Sequence, residues 1–110
     1  MNTPILILIF NRPIETKKLI KRLEKFKPKN LYIFSDGPRK NNISDIKKNN
    51  QCKLLVQNIK WKSNIKKKYL NNNLGCKNAV SKGISWFFKN EKKGIILEDD
   101  CIPTESFFKF

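Results

Sequence analysis

The chain has 110 residues and carries 24 Lys and Arg against 9 Asp and Glu, a formal charge of +15, with no histidine. That length suits one domain rather than two, and 39% hydrophobic content with 8 Phe is enough apolar mass to exclude wholesale disorder. The missing imidazole excludes Ser-His-Asp and Cys-His nucleophilic sites, His-ligated zinc and a histidine base, which leaves chemistry to carboxylates, amides, hydroxyls, Lys, Arg or thiols.

Pro4 to Phe10 is an unbroken apolar run, the pattern of a central parallel strand covered on both faces. Asn11-Arg12-Pro13 breaks it, and Thr16, Leu19, Ile20, Leu23 and Phe26 then follow helical spacing until Pro28. Asn30 to Phe34 reads as a second strand running into the turn cluster Ser35-Asp36-Gly37-Pro38. A second helix is expected from Ile43 and Ile46 through Cys52, Leu55, Val56 and Ile59, capped by Asn42 or Ser44. Ile65 to Leu70 is a weak third strand, ended by Asn71-Asn72-Asn73 and Gly75. Lys77 to Lys89 forms a third helix, with Trp86, Phe87 and Phe88 expected in the core rather than at a ligand. Gly94 to Leu97 is a short buried strand ending in Glu98-Asp99-Asp100. The order β-α-β-α-β-α-β predicts an α/β fold with an open, mainly parallel sheet, Rossmann-like, with right-handed crossovers.

Cys52, Cys76 and Cys101 are odd in number and widely spaced, so free thiols in a reducing cytosol are expected rather than a disulfide framework or zinc ribbon. No apolar run approaches membrane-spanning length and no basic leader precedes the first one, so a cytoplasmic location is expected. The positive charge is almost all Lys, spread among many Asn and Ile residues, which favours compositional drift over a selected polyanion site. Its densest stretch, Lys60 to Lys68 with Trp61 inside it, is suited to attraction toward an anionic inner membrane leaflet. The sequence stops at Ser106-Phe107-Phe108-Lys109-Phe110, an aromatic stretch without a polar tail, so the native chain or its fold is expected to continue.

Open α/β sheets bind ligands beyond the carboxyl ends of their strands. Three predicted strands end there in polar groups: Asn11-Arg12, Asp36, and Glu98-Asp99-Asp100. Taken alone, Asp36 before Gly37 is an ordinary turn residue and Arg12 a solvated loop residue. Three consecutive acids after a buried run repel one another and need compensation, by Lys or a helix amino end or by a bound divalent cation. Carboxylate oxygens suit Mg²⁺ or Mn²⁺, which keep coordination positions for water and substrate phosphates. With Gly only at 37, 75, 83 and 94, neither a G-x-G-x-x-G loop nor a P-loop can be written.

Ile5 to Phe10 with Asn11-Arg12-Pro13, the strand ending in Ser35-Asp36-Gly37, Asn73-Leu74-Gly75 before a helix, and Ile95-Ile96-Leu97-Glu98-Asp99-Asp100 with Pro103 and Phe107-Phe108 resemble the nucleotide-binding half of a GT-A-fold glycosyltransferase. The similarity is to family-2-like enzymes and the N-acetylglucosaminyltransferase I type, whose acidic motif is also Glu-Asp-Asp, and it covers essentially all of residues 1–110. The resemblance implies a UDP-sugar donor, with Arg12 and Asp36 around the uracil and Asp36 accepting the base N–H. It implies Asp99 near the ribose or sugar, Glu98 on the donor sugar, and Asp100 as the direct Mn²⁺ or Mg²⁺ ligand bridging to the diphosphate. Gly75 and Lys77 would lie near the donor. Such domains run to well over twice this length, and the acceptor half with its catalytic base has no counterpart here. Little or no turnover by this chain alone is therefore expected, and the catalytic residue, sugar and glycan or lipid-linked acceptor stay open. A basic nucleic-acid-binding module in which Lys60 to Lys68, Trp61 and Tyr69 track a strand, and a metal-dependent nucleotidyltransferase, are the alternatives.

Overall fold

The computed structural model describes residues 1–99. Strand and helix alternate throughout: β1 (Ile5–Ile9), α1 (Pro13–Glu24), β2 (Asn30–Ser35), α2 (Ile43–Gln57), β3 (Asn64–Tyr69), α3 (Cys76–Asn90) and β4 (Ile95–Glu98). All strand pairs are parallel and the order across the sheet is β3-β2-β1-β4. The expected α/β architecture is therefore present.

Alternate residues of the two central strands feed two cores, as the two-residue period of a strand requires. Ile5, Ile7, Ile9, Leu31 and Ile33 pack with Leu19 and Leu23 of α1, Cys52 and Val56 of α2, and Trp61. Leu6, Leu8, Tyr32 and Phe34 face the other way, onto Ala79 and Phe87 of α3. Two helices thus cover one face and α3 the other. This accounts for an apolar run in β1 with no alternation: every one of its residues is buried.

The helix starts follow local chemistry. Pro13 occupies the first turn of α1, where its missing N–H costs nothing. The side chain of Asn42 caps α2 by accepting from the Asp45 N–H at 2.9 Å. The buried stripe of α2 is Asp45, Asn49, Cys52 and Val56, so Ile43, 80% exposed, and Ile46, also exposed, lie off the packed face. Their expected place in the apolar stripe is corrected by the two polar residues, which hydrogen-bond to loops at the sheet end. The aromatic triplet of α3 also divides. Phe87 is buried and Trp86 half-buried against Tyr32 and Phe34, whereas Phe88 is 45% exposed and not a core residue.

Candidate functional site

Because β2 and β3 lie to one side of β1 and β4 to the other, the chain reverses its direction across the sheet between β1 and β4. Loops leaving the carboxyl ends of such strands diverge and open a crevice. A cavity of about 370 Å³ lies there. Leu8, Ile9, Phe34 and Val80 supply apolar wall, while Asn11, Asp36, Arg39, Asn73, Glu98 and Asp99 supply polar groups.

Asp36 ties the floor of this cavity together. Its Oδ1 accepts from Gly37 N–H at 2.8 Å and Leu74 N–H at 2.9 Å. Its Oδ2 accepts from Asn73 Nδ2 at 3.0 Å and Gly75 N–H at 3.2 Å. The side-chain amide of Asn73 also donates to the Gly37 carbonyl at 2.8 Å. Four N–H donors match the roughly four lone-pair sites of a carboxylate, which is how this charge is accommodated while buried. Two glycines make the knot possible. A Cβ on Gly37 would stand 2.6 Å from the Asn72 carbonyl carbon, and Gly75 has φ of 88°. A base N–H approaching Asp36, the contact implied by the sequence resemblance, therefore meets a carboxylate already engaged and must exchange with one of these donors.

A second buried carboxylate, Asp45, orients the arginine of the cavity. Arg39 donates to it from Nε at 2.6 Å, from Nη2 at 2.9 Å and from its backbone N–H at 3.1 Å, a two-toothed guanidinium pair. Asn11 Nδ2 donates to the same carboxylate at 3.0 Å. The Arg39 side-chain bond, ahead of the smaller opposing effect of burial, holds the Asp45 carboxyl well below its ordinary range. One turn along α2, Asn49 Nδ2 donates to the Phe10 carbonyl at 2.7 Å and to Ser35 Oγ at 2.8 Å. The ends of β1 and β2 and the loop carrying Arg39 are thus fastened to one helix.

Glu98 and Asp99 reach the same cavity from the end of β4, opposite Asp36 and Arg39. Glu98 pairs in register with Leu8, and the Asp99 N–H donates to the Leu8 carbonyl at 3.2 Å. Asp100 lies outside the described residues, as do Cys101, Pro103 and Phe107 to Phe110. Among the described residues no three His, Cys, Asp or Glu side chains gather to hold a metal. Asp36 and Asp45 are committed to N–H donors, while Glu98 and Asp99 are the other two described carboxylates at this end of the sheet that line the cavity or its border. One or two carboxylates are what Mg²⁺ ordinarily takes from protein.

Of the other residues singled out in the sequence, Arg12 is exposed at the amino end of α1 and does not line the cavity; the guanidinium there belongs to Arg39. Lys77 is exposed in the first turn of α3, whose Cys76, Ala79 and Val80 border the cavity. Trp61 is a core residue, 9% exposed, so it offers no open ring to a nucleic-acid base. Arg39, Asp45, Asn49 and Asn73 were not predicted as site residues. Extending the Cys52 and Val56 spacing backwards reaches Asn49 and Asp45, a signal that apolar periodicity passes over. No helix among the described residues is long and apolar enough to cross a membrane.

No protein family, curated protein or solved structure matches the chain.

Proposed function

We propose that the cavity binds the nucleoside diphosphate portion of a sugar donor together with Mg²⁺ or Mn²⁺, and that the chain is the donor-binding part of a GT-A-like glycosyltransferase. One observation carries this reading. In a chain of +15, the successive acids Glu98 and Asp99 at the end of β4 line one cavity with Arg39 at the reversal point of a parallel sheet. Two acids facing a bound diphosphate would need a cation between them and it.

Glu98 and Asp99 would hold that cation with Asp100, and when bound it would act as a Lewis acid that stabilises the leaving diphosphate. The chain's own groups do the rest. Leu8, Ile9, Phe34 and Val80 take the flat face of a base out of water. Asp36 reaches a base N–H by exchanging the Asn73 donor for it. Arg39, kept in one orientation by Asp45 and Asn11, presents its guanidinium to an anionic or carbonyl oxygen. The amino end of α3 at the cavity wall, without an acid in its first turn, adds the partial positive charge of unpaired helix N–H groups.

The test is a thermal unfolding scan of the 110-residue chain alone, with Mn²⁺, with UDP, and with both. A ligand held only by the folded state at one hundred times its Kd adds about 2.7 kcal/mol of apparent stability, a rise of several degrees for a domain of this size. That rise is expected only when metal and UDP are present together, and Asp99→Asn or Asp100→Ala should abolish it. A cooperative transition that ignores the pair would sink the proposal.

A further inference from the structure

A larger cleft, of about 980 Å³, lies at the opposite end of the sheet, against the amino ends of β2 and β3. Its rim is basic. Lys27 and Lys29 come from the α1–β2 connection and Lys60 and Lys62 from the α2–β3 connection, with Glu24 the one acid among the lining residues. In sequence these are two Lys-apolar-Lys segments, Lys27-Pro28-Lys29 and Lys60-Trp61-Lys62. The structure staples them side by side through their central residues: Trp61 Nε1 donates to the Pro28 carbonyl at 3.1 Å, and the Asn64 N–H donates to the Lys29 carbonyl at 2.7 Å. Pro28 and Trp61 are buried while all four lysines are exposed, so the staple turns four ammonium groups outward around one hollow. Drift in composition scatters lysines; it does not explain why two pinned segments set theirs around a shared concavity.

A further observation marks the same place. Lys27 has φ of 45°, in the left-handed region where glycine is the unstrained choice, because its N–H closes α1 onto the Leu23 carbonyl at 2.9 Å. A lysine is thus kept at a strained position beside three like charges, and strain of this kind collects at functional positions.

We propose that this cleft is a second binding site, for a soluble polyphosphate anion. Four lysines spread around a hollow far larger than one phosphate suit a ligand carrying several. A bilayer would meet only the lysines of the rim, whereas a soluble anion also enters the hollow, and the vesicle arm of the test separates the two. The ring of Trp61 is in the core and unavailable for stacking, so phosphate rather than base is what the cleft reads. The exposed Lys66 and Lys67 continue the basic surface along β3, away from the cleft.

The probe is inorganic tripolyphosphate without divalent cation, followed by calorimetry and by Trp61 fluorescence in a Trp86→Phe background. Saturable binding that weakens with salt is expected. The double variant Lys29→Gln/Lys62→Gln should lose about fivefold in affinity per lysine, the effect of one close charge contact in water. Lys47→Gln/Lys48→Gln on α2 removes the same charge from an exposed surface and should change affinity less than twofold. Lys27→Gly should raise the melting temperature while weakening binding about fivefold. Equal losses in the two double variants would mean diffuse attraction and overturn the proposal, as would undiminished affinity in Lys27→Gly. Binding to phosphatidylserine vesicles without binding to tripolyphosphate would also overturn it and make the surface a membrane contact.

Discussion

The two ends of the sheet solve opposite problems. At the carboxyl end, two carboxylates are buried and matched with donors: four N–H groups on Asp36, and Arg39 with Asn11 on Asp45. At the amino end, positive charge stands exposed, and hydrogen bonds fix the backbone beneath the lysines rather than the lysines themselves. The first arrangement gives fixed geometry, the kind that recognises a defined ligand shape. The second gives a strong field with movable heads, which attracts multiply charged partners and tolerates variety among them.

If the carboxyl end is the built one, breaking it should cost the most. Asp36→Ala leaves four donors without their acceptor and should lower unfolding free energy by about 3 kcal/mol, read from urea denaturation. Gly37→Ala should cost about 2 kcal/mol through the clash of a new Cβ with the Asn71 and Asn72 backbone, with the same readout. An equal loss from a lysine substitution at the other end would erase the distinction. A smaller effect is expected from acid. The folded-state value of Asp45 lies below its ordinary 3.8, so the stability it contributes is complete above about pH 4 and is lost as pH falls through the depressed value. Arg39 is 59% exposed, and solvent screening keeps this contribution modest. Urea midpoints for Asp45→Asn should be lower than wild type at pH 7 and should fall less between pH 4 and pH 2. At the amino end the sign reverses: Lys27→Gly relieves left-handed strain and should gain about 1 kcal/mol, a shift of a few degrees in a melting scan.

The fold was legible because it rests on apolar pattern. The uninterrupted Pro4 to Phe10 run, the stops at Pro13 and Pro28, and the acids after Leu97 place the strands and their order. The lining of the cavity was legible only where a residue sits at a strand end, as Asp36, Glu98 and Asp99 do. What periodicity hides is polar residues used as core. Asp45 and Asn49 occupy the packed stripe of α2, yet in sequence they read as solvated face, and so Ile43 and Ile46 took their place. Arg39 stayed hidden for a related reason: its position depends on a partner six residues away, across a turn and a helix cap. Trp61 misled in the opposite direction, since its lysine neighbours suggest an exposed ring whereas its indole N–H is bound inside to Pro28.

The strand order also sets a timetable. Ile5 pairs with Leu31 on one side but with Ile95 on the other, so one edge of the most apolar strand has no partner until nearly all of the described chain has been synthesised. At ordinary translation rates that interval is on the order of 5 to 20 s. Throughout it, Ile5 to Ile9 presents an open, uncharged β edge, the kind of segment that pairs with its copy on a neighbouring nascent chain. The carboxylates that complete the carboxyl-end cavity arrive with the strand that closes this edge, so the cavity is assembled last and the step that protects the chain from aggregation is the same one that finishes its candidate site.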